Sequence, residues 1–161
     1  MFIIREATAG DVPAIFVIRT AVKENAASMA RLAELGITPA SVEEAFKSHC
    51  KGWVAQCDDV TVGFSIADRT TESIWALFVL PEFEARGIGR GLMMPAVEWL
   101  RGTGATRIWL TTGPETRAAG FYRHLGWAAQ GLTPKGEMRF EKALEEQKKK
   151  DIFSILSPDN K

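Results

Sequence analysis

Three glycines alternate at Gly87, Gly89 and Gly91, shortly after a near-continuous apolar run at residues 73–80 that ends at Pro81. The middle of the run reads Ile-Trp-Ala-Leu-Phe-Val. It lacks the alternation of a half-exposed strand, so it predicts a strand covered on both faces. Beyond the loop 82–91, apolar positions Ile88, Leu92, Ala96, Val97 and Leu100 keep a period near 3.6 and predict a helix. A strand therefore hands over to a helix through a glycine-rich turn. Glycine lets backbone approach a ligand closely. The N–H groups at a helix start have no acceptor one turn back, and together with the helix dipole they attract an anion. Arg86 and Arg90 add fixed positive charge. The inference is a phosphate-bearing ligand. The alternative is a tight turn that binds nothing, but three glycines in five residues weaken a helix start with no packing return. No Gly-Lys-Ser/Thr follows, so this is not a Walker loop, and the glycine spacing does not fit a dinucleotide fingerprint.

Around this centre the chain reads as short strands and helices. Residues 2–5 predict a first strand. Thr8 and Asp11 form a start signal for a helix carrying Val12, Ile15, Phe16 and Ile18. A second helical stretch covers 27–35 and stops at Gly36, and Pro39 and Ser41 open a third, with Val42, Ala45 and Phe46 on one face. Strands at 53–57 and 60–67 meet at Asp58-Asp59, a hairpin signal. Pro95 inside the long helix predicts a kink, and Gly102 and Gly104 end that helix. A strand at 107–112, a helix at 116–125 closed by Gly126, and strands at 127–130 and 138–142 complete a domain spanning 1–144. The remainder, 145–161, is polar and carries Lys148, Lys149 and Lys150, then Ile152, Phe153, Ile155 and Leu156. It reads either as a frayed tail or as a segment that docks on a neighbour.

Composition narrows the class. A chain of 161 residues, 46% hydrophobic, is one ordinary domain that buries about two thirds of its unfolded surface without disulfides or a structural metal. Twenty basic and twenty acidic side chains cancel, which argues against a general nucleic-acid binder. No apolar run approaches the roughly 20 residues that span a bilayer, and the first residues lack a signal-peptide pattern, so a cytoplasmic location is expected. Cys50 and Cys57 are too few for a disulfide framework. His49 and His124 are the only histidines, and a zinc site wants three or four ligands at tight spacing, so both cysteines are expected as packing residues and no metal is expected.

A second informative segment is 116–127. It contains Tyr122, the only tyrosine, on a predicted helix directly after the Ile-Trp-Leu strand. A tyrosine hydroxyl can protonate a leaving group. Alternatively it is a core tyrosine whose hydroxyl finds a partner.

Together, Val-x-Pro-Glu-x-x-x-x-Gly-Ile-Gly-Arg-Gly-Leu from Val79 and Phe-Tyr-x-x-x-Gly-Trp from Phe121 resemble the GNAT superfamily, the N-acetyltransferases that use acetyl-coenzyme A. The resemblance runs from the first strand to about Leu144. It implies an α/β (α+β) fold with a mixed, mostly antiparallel central sheet flanked by helices. The family's loop pattern is Arg or Gln, two residues, Gly, one residue, then Gly or Ala. Aligned on Pro81, Gly87 and Gly89 match, while Glu84 departs from the pattern; Arg86 with Gly89 and Gly91 satisfies it two residues late. The resemblance implies that amides of Ala85, Arg86, Gly87, Ile88, Gly89, Arg90 and Gly91 hold the pyrophosphate. Phe78 and Val79 would pair with the pantetheine arm as with an added strand. Strands 74–80 and 107–112 would splay to admit it, and Tyr122 would protonate the departing thiolate. The Asn that many relatives carry seven residues before the tyrosine is Glu115 here.

The implied activity is transfer of an acetyl group from acetyl-coenzyme A to a primary amine of a small molecule or peptide by direct attack. The alternative is a non-catalytic acyl-coenzyme A-binding sensor or interaction module of the same fold, and succinyl-coenzyme A is an alternative donor. Glu72 and Glu24 are candidate bases for the amine, though each also fits a plain surface acid. Backbone N–H groups on the central strand would stabilise the oxyanion. The acceptor end would lie at 17–36 and the last strand pair. There Glu24, Asn25 and Arg31 are candidate polar contacts, and Phe46 and Trp75 candidate apolar walls. No nucleic acid or membrane partner is expected, and a homodimer is a family expectation.

Overall fold

A computed structural model of the chain describes residues 1–23 and 26–145. The strands are β1 (Ile3–Glu6), β2 (Cys50–Cys57), β3 (Val60–Asp68), β4 (Ser73–Val79), β5 (Arg107–Thr112), β6 (Ala128–Leu132) and β7 (Met138–Ala143). The helices are α1 (Val12–Ala21), α2 (Met29–Glu34), α3 (Pro39–Lys47), α4 (Ile88–Gly102) and α5 (Arg117–His124). The strands form one sheet in the order β1-β2-β3-β4-β5-β7-β6. Every neighbouring pair is antiparallel except β4 and β5, which are parallel. The mixed, mostly antiparallel sheet expected from the sequence is the one observed. Glu24, Asn25 and the tail from residue 146, with its lysines and apolar residues, lie outside the described residues.

Alternating residues along β2 and β3 serve two cores, because successive side chains point to opposite faces. Val54, Phe64 and Ile66 pack under Val12, Ile15 and Ile18 of α1 and Val42 of α3. Trp53, Ala55 and Val62 face Leu92, Ala96 and Leu100 of α4, in a cluster continued by Ile108, Leu110 and Phe140. The β2–β3 turn is local chemistry. Asp58 and Asp59 have φ of 48° and 65°, the left-handed pair that a two-residue hairpin requires.

One expectation needs correction. β4 is not covered on both faces: Trp75 is 45% exposed and residues 76–79 are half-buried. Their apolar side chains line a cavity rather than a sealed core. The helix α4 runs through Pro95 as one element. Pro95 offers no N–H to the carbonyl one turn back. On the adjacent carbonyl, that of Leu92, the buried Ser65 hydroxyl donates a hydrogen bond of 2.9 Å from β3.

The start of α1 is clamped electrostatically. Arg5 donates to both carboxylate oxygens of Asp11, at 2.7 and 2.8 Å, and the Thr8 N–H adds a third bond of 2.8 Å. The Arg5 hydrogen bond leads in holding the Asp11 carboxyl below the usual range, against the cost of burial. A lowered carboxyl stabilises the fold above the unfolded value of about 3.9, and that contribution disappears as pH falls through the folded value. Asp11→Asn should therefore lower stability at pH 7 by about 1 kcal/mol, after allowing for the exposed Arg5 side. Urea unfolding at pH 7 and below pH 4 should show the difference from wild type closing at the acid end.

Candidate active site

The link from β4 to α4 is built from backbone. A 3-10 turn at Pro81–Phe83 leads to Glu84 in extended conformation. Ala85 and Gly87 then take positive φ of 61° and 83°. Gly87 caps α4, and the Gly91 N–H donates to the Gly87 carbonyl at 3.0 Å as a bond of the first helical turn. The amides of Gly87, Ile88, Gly89 and Arg90 precede that bond and have no acceptor within the helix. They are N–H donors available to an anion.

Gly91 and the Arg86 side chain make other contacts. Gly91 has spent its amide on Gly87, and a Cβ there would meet Phe2 at 3.1 Å and Ile4 at 3.4 Å, so this glycine lets α4 close against β1. Arg86 turns back, donating to the Glu82 carbonyl at 3.3 Å with its guanidinium 5.0 Å from the Phe83 ring centre. Glu84, the departure from the family pattern, pairs with Arg117 at the start of α5 at 2.8 Å.

A cavity of about 660 Å³ begins at this turn, where Ala85, Gly87, Ile88, Gly89 and Arg90 line it. It continues between β4 and β5. Those strands share one register pair, Ser73↔Trp109, and form no further ladder. Residues 76–79 of β4 are paired to β3 on one side only, so the other edge is open to an added strand. Phe78, Val79, Leu110, Thr111 and Thr112 line this middle section. Beyond it, Ile15, Phe16, Leu32, Val42 and Trp75 enclose an apolar chamber under α1, α2 and α3.

Tyr122 also lines the cavity. Thr116 caps its helix by accepting from the Ala119 N–H at 3.2 Å, and Gly126, with φ of 90°, follows the helix end. The Tyr122 ring is 5% exposed and lies 5.5 to 6.2 Å from the rings of Phe121, Trp127 and Phe140. Burial raises the phenol well above its ordinary value. It therefore stays protonated through the neutral and mildly alkaline range, as a proton donor must.

Other candidates are placed elsewhere. Glu72 is exposed in the turn before β4, and its carbonyl accepts from the Trp109 N–H at 3.3 Å. Glu115 is also exposed, and neither carboxylate lines the cavity. Arg31 pairs with Glu34 at 3.0 Å on the outside of α2. Phe46 lies against Gly52, where a Cβ would be 2.8 Å from its ring. Residues that the sequence reading passed over do line the cavity: Arg19, Lys23, Arg117 and Glu137. Arg19 carried a signal. It follows Phe16 and Ile15 by three and four positions, which puts a cation on the buried stripe of α1. Its guanidinium sits 4.5 Å from the Phe78 ring centre.

Residues 14–127 match the Acetyltransferase (GNAT) family. Over 94 residues the chain is 34% identical to an uncharacterized N-acetyltransferase of Methanocaldococcus jannaschii, a match covering 58% of this chain and 40% of that protein. The chain thus spans well under half the length of that relative. Among solved structures, the PaiA N-acetyltransferase from Thermoplasma acidophilum in complex with coenzyme A superimposes with a TM-score of 0.72, covering 89% of this chain and 99% of that one at 16% identity. A ribosomal-protein-alanine N-acetyltransferase from Brucella melitensis gives 0.69, with 88% and 99% coverage at 19% identity. At such identities the structural likeness is one of fold. No helix among the described residues is long and apolar enough to cross a membrane.

Proposed function

The chain belongs to the GNAT acetyltransferase family, and on that premise we propose that it transfers an acetyl group from acetyl-coenzyme A to a primary amine of a small molecule or peptide by direct attack. The observation that carries the reading is the single cavity shared by the glycine cradle, the parted strands β4 and β5, Tyr122 and the apolar chamber. A nucleotide-bearing thioester has its anionic, extended and reacting parts in that order.

In this reading the amides of Gly87, Ile88, Gly89 and Arg90 take the pyrophosphate, with Ala85 shaping the turn and the Arg90 side chain adding charge. The open edge of β4 at Phe78 and Val79 pairs with the pantetheine amides. The amine nitrogen bonds to the thioester carbonyl carbon, the carbon–sulfur bond breaks, and the thiolate receives the Tyr122 proton. The new amide loses its extra proton to a base. Among the described lining residues the carboxylates are Glu84 and Glu137, and Glu84 is paired with Arg117, so of these two Glu137 takes this part. Glu137→Gln should then flatten the acid limb of the kcat/KM profile while leaving coenzyme A binding intact. The chamber walls favour an amine borne on an apolar body. The reading takes the enzyme as cytoplasmic and homodimeric, with no nucleic-acid partner, in keeping with its balanced charge.

The test is release of free thiol from acetyl-coenzyme A with a panel of amines and peptides, with acylated product read by mass spectrometry. Amine-dependent thiol release is expected. Coenzyme A binding with no release across the panel would favour the sensor module instead.

A further inference from the structure

At the end of the β2–β3 ladder remote from the hairpin turn, three donor atoms of different chemistry converge. Cys50 and Asp68 are register partners, and His49 directly precedes β2. The imidazole, thiol and carboxylate donors all lie within 4.8 Å of one another. Cys50 and Asp68 are 8% and 9% exposed, so two of the three are buried.

Neighbouring groups orient each donor. Asp68 Oδ1 accepts from the Thr70 N–H at 2.8 Å and from its hydroxyl at 2.7 Å. The Thr71 N–H also bonds to this carboxylate, and Oδ2 stands 3.8 Å from His49 Nε2. The Ser48 hydroxyl donates to the Glu44 carbonyl at 3.1 Å, and its oxygen is 2.9 Å from His49 Nδ1. At that distance Nε2 and Oδ2 are too far apart for a hydrogen bond. Two nitrogen or oxygen ligands of one tetrahedral ion with bonds of about 2.1 Å stand about 3.4 Å apart, so His49 and Asp68 need a shift of a few tenths of an ångström, and the widest of the three donor pairs, within 4.8 Å, needs up to about 1 Å. A cavity of about 270 Å³ adjoins the three side chains. It offers room for a water as fourth ligand.

We propose that His49 Nε2, Cys50 Sγ and Asp68 Oδ2 bind one divalent transition-metal cation of the zinc type, with its fourth position open to this cavity. The mixed nitrogen, sulfur and oxygen set suits zinc or cobalt and not magnesium or calcium, which take oxygen ligands. Ser48 and Thr70 are positioning residues of the kind that aim metal ligands through their free atoms. Burial, and next the Asp68 charge, push the Cys50 thiol up to about 12. The ion supplies the compensating positive charge, and the thiol proton leaves to solvent as the sulfur–metal bond forms. Ile37, Val42, Ile66 and Trp75 wall both this cavity and the larger one. An ion here would pin the end of β3 beside the acceptor chamber. The proposal does not rest on the acetyltransferase reading.

The test uses the full chain stripped by a chelator and titrated with cobalt(II). One equivalent should produce a thiolate-to-cobalt charge-transfer band and tetrahedral ligand-field bands, and zinc should displace both. Cys50→Ser should abolish the charge-transfer band, while Cys57→Ser, which removes the other thiol, should keep it. Ser48→Ala should weaken binding by about tenfold or more without moving the unfolding midpoint of the metal-free protein. Asp68→Asn gives a second ligand variant should Cys50→Ser fold poorly, and it should weaken binding at least as much as Ser48→Ala. Absence of a one-equivalent charge-transfer band in the wild type, or its survival in Cys50→Ser, overturns the proposal.

Discussion

Tyr122→Phe should turn over at about a hundredth of the wild-type rate or less, with KM for acetyl-coenzyme A nearly unchanged. The substitution removes one hydroxyl and leaves the ring contacts with Phe121, Trp127 and Phe140 in place. Helix α5 keeps its cap and its Gly126 exit, so the cradle and the parted strands keep their geometry. What is lost is the proton for the thiolate. Burial raises the phenol, so the wild type keeps its acid up to and beyond the ordinary phenol value of about 10. The deficit should therefore persist on the alkaline side, where a group with an ordinary carboxylic or imidazole value would already have lost its proton. Single-turnover kinetics across that range checks it. Equal kcat for the two proteins at alkaline pH would remove Tyr122 from the chemistry.

The parts of this site that were legible in the sequence are those set by local chain chemistry. The glycine-rich turn followed from glycine spacing after an apolar strand, and the place of Tyr122 from a short helix with Thr116 before it and Gly126 after it. The Asp58-Asp59 turn was equally local. What was not legible depends on register and on side chains that meet across elements. Arg86 and Arg90 look equivalent in the sequence, yet Arg90, inside α4, lines the cavity while Arg86, before the helix, folds back onto Phe83. Gly91 belongs to the same glycine pattern as Gly89, but two residues on, about 200° around the helix, it faces Phe2 and Ile4 instead. The apolar run of β4 predicts a strand sealed on both faces, because hydrophobicity does not distinguish a core wall from a cavity wall. His49 and Cys50 were visible as neighbours. Asp68 joins them only through the pairing of β2 with β3, whose register carries irregularities that no pattern of residue types announces.

Gly89→Val should raise the dissociation constant for coenzyme A by about a hundredfold or more. Gly89 lies in the first turn of α4, within the cradle, and lines the cavity. Its φ is not in the left-handed region, so valine is not strained there, and a helix interior tolerates valine at least as well as glycine. The fold should persist. The new side chain, however, stands where the diphosphate would approach the amides of Ile88, Gly89 and Arg90. Losing two charge-assisted hydrogen bonds, at about 1.5–3 kcal/mol each, exceeds the roughly 2.7 kcal/mol that a hundredfold represents. The first added carbon also meets Phe121 at 3.2 Å, and Phe121 precedes Tyr122 on α5. The variant should thus lose kcat as well as affinity, whereas loss of an outlying charge would raise KM alone. Two comparisons separate the cradle from its surroundings. Gly91→Ala presses on Phe2 and Ile4 and should lower the unfolding midpoint with affinity held, and Arg86→Ala should change neither. Calorimetric titration with coenzyme A reads all three. A Gly89→Val protein that bound within twofold of wild type would show that the diphosphate is held somewhere other than these amides.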